Sequence, residues 1–285
     1  MVFQFTLTVP EAKRVIAKAI ASMPEVRKAM AGGKVFIKGG TTTSAVSEEL
    51  GGPPLRISGR ISPNGARGAL RKDGAPHSLV FEKGVPRPAD TTLEEVVDSL
   101  GPQDVAVLAA NLLDRDGRAA MLAGSPLGGP PGRVLSGLAA QGAHVLIACG
   151  LEKLFPGRID DAVAACGRSK VDRAIGMGVG LIPLYGRVVT EVEACSILAG
   201  VKATVIARGG IAGAEGATTL VAEGSLEQIG VLEEAVRAVK GAVNSGDPGS
   251  LEECRAGAAG CGRHRACANL QDMAGQCLYR EEWRR

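Results

Sequence analysis

Short apolar runs alternate along this chain with segments whose apolar positions recur at helical spacing. Val35–Ile37, Val105–Ala109, Val145–Ala148, Ala203–Ala207 and Thr218–Ala222 are rich in Val, Ile, Leu or Ala, as strands covered on both faces must be. Helical periodicity fills the intervals: Glu11–Met23, Thr42–Leu50, Leu93–Leu100, Ile159–Cys166, Glu191–Leu198 and Leu226–Lys240. Two of these helices open with capping-box spacing, Thr190 with Glu193 and Ser225 with Gln228, and two close on Gly51 and Gly200. Regular strand–helix alternation predicts an α/β fold, a mostly parallel sheet with flanking helices joined by right-handed crossovers.

Two stretches break the pattern. Residues 52–88 are interrupted by Pro and Gly and scattered with Arg and Lys, which predicts a small irregular insertion or β-subdomain. After Lys240 a linker-like AVNSGDPGS leads into a Cys-rich tail, so the expected division is an α/β ligand-binding domain, 1–245, and a C-terminal tail, 246–285. Gly124–Gly132 (GSPLGGPPG) is too rich in Pro and Gly for either regular element and reads as a shaped loop.

The candidate ligand loop lies in KVFIKGGTTTSAVSEELGG, Lys34–Gly52. A buried strand ends at Lys38, Gly39 and Gly40 turn the chain, and Thr41, Thr42 and Thr43 open a helix. Helix N-termini carry unpaired N–H groups and partial positive charge, so this turn suits a phosphate or carboxylate; the alternative is a tight turn with threonine capping. No Gly-Lys-Ser/Thr follows, so it is not a Walker loop. A second candidate stretch, Ala207–Gly224, sets Arg208, Gly209, Gly210, Gly213 and Glu215 after a predicted strand. Arg208 suits an anion, and Glu215 suits acid–base work or a ribose hydroxyl.

The strand–GGTTTSAV–helix unit resembles the first ligand loop of the ribose-5-phosphate isomerase, glucosamine-6-phosphate deaminase and CoA-transferase-like superfamily. That resemblance implies the corresponding fold, a sugar-phosphate or related ligand at Gly39–Thr43, and an acidic Gly-Ala-Asp segment after a later strand. Here that segment corresponds to Asp104–Pro126, where Ala109 stands for the family's glycine and Asn111 for its acid, with Asp114 and Asp116 following. Asp116, Asp114 and Glu215 are therefore the candidate acid–base residues, and Asn111 joins the ligand-binding set.

Composition narrows the partners. With 3% aromatic residues and a net charge of +3, the chain lacks both the stacking surface and the basic footprint of a nucleic-acid binder. No apolar run is long enough for a membrane span, and seven cysteines, an odd number, predict reduced thiols and a cytoplasmic setting. Four of them, Cys254, Cys261, Cys267 and Cys277, cluster in the tail with His264; three or four such ligands suffice for zinc or an iron–sulfur cluster, although no CxxC pair occurs. Cys149, at a strand end, is a weaker nucleophile candidate, and packing is the competing role.

The leading expectation is an isomerase- or transferase-like enzyme acting on a small phosphorylated or nucleotide-like anionic metabolite. Two alternatives stay open: a non-catalytic sugar-phosphate sensor, favoured by Asn111 in place of an acid, and a metal- or redox-linked partner protein acting through the tail. A homodimer is compatible with this architecture.

Overall fold

The computed structural model describes residues 1–70, 73–256, 258 and 261–267. Its main sheet runs in spatial order Arg187–Val189, His144–Ala148, Val105–Ala109, Lys34–Lys38, Ser78–Glu82, Val85–Pro88. The first four strands are parallel and the last two antiparallel, so the fold is mixed α/β with a six-stranded mixed sheet. Side chains alternate between its faces with period two, and both sides are apolar. Val35, Ile37, Val105, Val107, Leu146 and Ala148 join one buried cluster with the helix Val9–Ser22, whose Val15, Ile16 and Ile20 are fully buried. Phe36, Ala106, Leu108, Val145 and Ile147 face the other side, against Leu93, Val97 and Leu138. Each fully buried aliphatic side chain of this kind contributes about 2 kcal/mol, which is why β-branched and leucine residues can build the core with so few aromatics.

The six expected helices are present: Val9–Ser22, Thr41–Glu49, Leu93–Asp98, Ile159–Ala165, Glu191–Ala199 and Leu226–Arg237. Both expected capping boxes form, and Gly200 ends its helix with φ 66°. Among the described residues no helix is long and apolar enough to cross a membrane.

Two expectations need correction. Ala203–Ala207 and Thr218–Ala222 do not belong to the parallel sheet. They lie within Lys202–Gly209 and Ala217–Glu223, an antiparallel pair that continues onto Val2–Leu7 in a separate three-stranded sheet. Only residues 210–216 join the two strands, and a parallel crossover needs a dozen or more. The second correction concerns residues 52–88. Among the described residues of this stretch, Gly59–Ser62 and Gly65–Gly68 form a separate two-stranded ribbon, while Ser78–Pro88 completes the main sheet.

That second return positions the site. Because Ser78 starts its strand opposite the end of Lys34–Lys38, the residue before it, His77, is carried to the C-terminal edge of the parallel strands. A third small sheet, Leu112–Leu113 with Ala119–Ala123 and Gly180–Leu184, rises beyond the same edge.

Candidate functional site

A cleft of about 1110 Å³ opens at this edge. Its floor is the loop that follows the central strand, and the loop's shape follows from two glycines. A β-carbon at Gly39 would lie 2.5 Å from both Nδ1 and the carbonyl oxygen of His77 and 2.8 Å from the Arg56 carbonyl oxygen. One at Gly40 would lie 2.8 Å from the Ala109 β-carbon. Both positions exclude a side chain through crowding rather than through backbone angle.

Gly40 caps the helix Thr41–Glu49, and the three threonines divide their work. The Thr43 hydroxyl donates to the carbonyls of Lys38, at 2.6 Å, and Gly40, at 3.1 Å, so it braces the turn. Thr41 and Thr42 line the cleft, and the buried Thr42 Oγ1 has no hydrogen-bond partner among the described residues. An unpaired buried hydroxyl carries a desolvation cost that a bound ligand would remove.

His77 is held by its backbone and by one ring nitrogen. Its carbonyl accepts from Gly39 N–H at 2.6 Å, and its own N–H donates to Asp90 Oδ2 at 3.0 Å. Nδ1 lies 2.8 Å from the Arg56 carbonyl, which can only accept, so Nδ1 bears the proton and Nε2 keeps its lone pair. Burial, reinforced by the nearby Lys38 charge, pushes His77 down to about 4 and keeps the ring neutral. Burial also pushes Lys38 down to about 8. The Lys38 ammonium has no carboxylate partner among the described residues; its hydrogen bond is a 3.4 Å contact to the Gly39 carbonyl.

The far wall comes from the turn after His144–Ala148. Glu152 Oε1 lies 3.4 Å from Lys153 Nζ, while Glu152 Oε2 is buried with no partner among the described residues. Lys13 reaches in from the first helix and donates to Asn244 Oδ1 at 2.7 Å; burial, then the Lys153 charge, pushes it down to about 8. The Arg60 guanidinium holds the Ser250 and Leu251 carbonyls through its Nη atoms, and its Nε is buried with no partner among the described residues. Lys13, Lys38, Lys153, Arg56, Arg60 and Arg67 thus line a cleft whose only carboxylates among the described residues are Asp90 and Glu152. Asp90 is already paired with Arg56 at 2.8 Å. The net positive field favours an anion.

The described part of the tail closes one side of this cleft. Asp247 N–H donates to the Leu55 carbonyl, Cys254 N–H to the Gly68 carbonyl, and Gly178 N–H to the Arg265 carbonyl, at 2.8, 2.9 and 2.9 Å. Cys254, Cys261, His264 and Cys267 all line the cleft. Among the described residues, however, no three His, Cys, Asp or Glu side chains gather closely enough to hold a metal ion. Cys277 lies outside the described residues.

Of the expected site residues, Gly39, Gly40, Thr41, Thr42 and Asn111 come together at the cleft. Asn111 Oδ1 accepts from Leu122 N–H at 2.9 Å, fixing the small sheet that forms one wall. The expected acids fall elsewhere. Asp114 is buried and accepts from the N–H groups of Asp116, Arg118 and Ile159. Burial works to raise its pKa, but those three donors outweigh it and hold the carboxyl below the usual range. It is a brace between a hairpin turn and a helix start. Asp116 is exposed on that turn and does not line the cleft. Arg208, Gly209, Gly210, Gly213 and Glu215 occupy the exposed end of the antiparallel hairpin, and Glu215 accepts from Gly213 N–H at 3.0 Å. They lie at the turn of the separate antiparallel sheet and do not line the cleft, although a β-carbon on the next residue, Gly216, would stand 3.1 Å from Val9 and 3.7 Å from Glu152 of its wall. Cys149 is fully buried outside the cleft lining, and burial pushes its thiol up to about 11, which suits packing.

Lys13, Lys38, Arg56, Arg60, His77, Glu152 and Lys153 are cleft residues that periodicity does not single out. Lys38 alone had a signal: a lysine closing an otherwise apolar strand directly before a Gly-Gly turn. Compared with known protein families, curated proteins and solved structures, the chain gives no match.

Proposed function

We propose that this chain is an enzyme acting on a small phosphorylated metabolite that also carries hydroxyl groups, with isomerase- or transferase-like chemistry of the kind the Gly39–Thr43 loop suggests. The observation that carries the reading is the set of three buried polar atoms without partners among the described residues, Thr42 Oγ1, Glu152 Oε2 and Arg60 Nε, all on residues that line one cationic cleft. Arg60 Nε can only donate, which suits a phosphate oxygen. Glu152 Oε2, when ionised, can only accept, which suits a ligand hydroxyl. A phosphorylated polyol or sugar offers both. Beside the same loop stand an amine lowered to about 8, which can exchange a proton near neutral pH, and an imidazole whose Nε2 keeps a free lone pair.

A sensor that binds the same ligand without turnover is the second reading. It is favoured by Asn111, which stands where the resembled family has its acid, and by the absence of Asp114, Asp116 and Glu215 from the cleft lining.

Thermal unfolding with inorganic phosphate and with ribose 5-phosphate tests the ligand class. Saturating ligand, at about a hundred times Kd, should stabilise the wild type by about 2.7 kcal/mol. Thr42→Val removes the unpaired hydroxyl at nearly constant shape. It should raise the stability of the free protein by about 1 kcal/mol while weakening the ligand-induced shift. A Thr42→Val protein that is no more stable when free and is equally stabilised by ligand would sink this reading.

A further inference from the structure

We propose that Lys38 is an imine-forming residue, condensing through Nζ with the carbonyl of a small phosphorylated aldehyde or ketone, and that His77 Nε2 is the base serving the adjacent carbon. The phosphate part of this inference rests on the proposed function above; the covalent part rests on Lys38 and His77 alone. Three lysines line the cleft, but they are not equivalent. Lys13 donates to Asn244 Oδ1, and Lys153 lies 3.4 Å from Glu152 Oε1. Lys38 has only the long contact to Gly39 O and no carboxylate among the described residues. It stands at the C-terminal end of a central parallel strand, directly before the Gly39–Gly40 turn, where ligands of such sheets bind.

Its environment favours the free amine. At a pKa of about 8, roughly a tenth of the amine is neutral at pH 7, against less than about a thousandth for an ordinary lysine. His77 stands across Gly39 from it. Its ring is fixed through Nδ1, and its unprotonated Nε2 makes no hydrogen bond among the described residues. An imidazole in that tautomer has a free lone pair to accept a proton. Burial holds it at about 4, so it is a weak base, and proton removal relies on the acidity that a protonated imine gives the neighbouring C–H.

The chemistry balances without an external oxidant or reductant. The Lys38 amine forms a bond to the carbonyl carbon as the C=O π pair moves to oxygen, which takes up a proton. Loss of water leaves a protonated imine. The C–H bond on the neighbouring carbon then breaks, its proton passing to His77 Nε2 and its electron pair into the enamine. Return of a proton and hydrolysis by one water regenerate the amine, so the net result is proton relocation within the substrate.

Glycolaldehyde phosphate with sodium cyanoborohydride tests the step, read by intact mass and peptide mapping of the full-length protein. Lys38 should be alkylated at pH 7 on the order of a hundredfold faster than surface lysines, as its larger neutral fraction requires. Lys38→Arg and Lys38→Met should lose that fast adduct while phosphate still stabilises them against heat. Adducts spread evenly over surface lysines in the wild type, or a fast adduct on Lys13, which burial also lowers to about 8, in place of Lys38, would overturn the proposal, whatever the variants do. A fast Lys38 adduct in a protein that phosphate does not stabilise would keep the imine and remove the phosphate reading. His77→Asn should still trap the aldehyde but should lose exchange of the neighbouring C–H into deuterated water. Exchange at the wild-type rate in that variant would remove His77 from the role of base.

Discussion

Gly39→Ala probes the joint on which the whole cleft floor turns. The new methyl would stand 2.5 Å from two atoms of His77, one of them its backbone oxygen, and 2.8 Å from the Arg56 carbonyl oxygen. All three distances are below what β-carbons tolerate, and two of the atoms are backbone, so relief requires the strand Ser78–Glu82 or the segment at Arg56 to move. Overpacking of this kind costs typically 1–3 kcal/mol, and the backbone contacts argue for the upper end. Any such movement also strains the 2.6 Å Gly39–His77 hydrogen bond. With an unfolding entropy of roughly 0.6 kcal/mol/K for a chain of this length, a loss of about 3 kcal/mol lowers Tm by about 5 °C. Gly230→Ala is the control. It sits within the helix Leu226–Arg237, and no atom of the described residues lies within 4 Å of its new methyl. That substitution should raise stability by about 1 kcal/mol through helix propensity. Scanning calorimetry, with and without phosphate, reads both. If Gly39→Ala melted with the wild type and kept its phosphate shift, the close apposition of His77 and the loop would be wrong.

Two further predictions concern buried carboxyls. Burial raises Glu191 from the ordinary 4.5 to about 7. The folded state therefore keeps a proton that the unfolded chain releases between those values, and stability should fall by roughly 3 kcal/mol as pH rises across that window. Glu191→Gln should flatten this loss, and equal slopes in urea titrations of the two proteins would contradict it. Asp114 has the opposite sign. Its folded pKa is depressed, so its contribution is present above the usual carboxylate value and disappears as pH falls through the folded one. Asp114→Asn should cost about 2 kcal/mol at pH 7 and make acid unfolding less steep; an unchanged acid limb would show that Asp114 is not the brace its three hydrogen bonds indicate.

Local chemistry was legible in the chain wherever the interaction partners are a few residues apart. Thr190 finds Glu193, Ser225 finds Gln228, and Gly200 turns the helix end, because capping depends on backbone geometry within one turn. The apolar runs at Val35, Val105 and Val145 read correctly as strands covered on both faces, since burial on two sides leaves no polar position in the period. The Gly39–Thr42 floor was visible for the same reason: a strand, two glycines and a helix start are contiguous.

What strand pairing decides was not legible. The apolar pattern of the two strands around Glu215 is the same as that of a parallel strand; the antiparallel register across the short connection of residues 210–216 sets them in a separate sheet, and Glu215 falls outside the cleft lining. His77 lies in a stretch that reads as irregular. It reaches the site because Ser78–Glu82 returns antiparallel beside Lys34–Lys38, a contact made between residues about forty positions apart. Lys13, Glu152 and Arg60 arrive from three further elements. The sequence by itself determined where the six expected helices and the buried central strands form and where one anion-suited turn lies, because those depend on short-range backbone and solvation energies; Val2–Leu7, Pro24–Gly32, Ala119–Ala123 and Gly180–Leu184 were not legible in it. The tertiary structure alone decided which charges share the cleft and how burial shifts Lys38 and His77, because pairing register and desolvation are properties of the assembled chain.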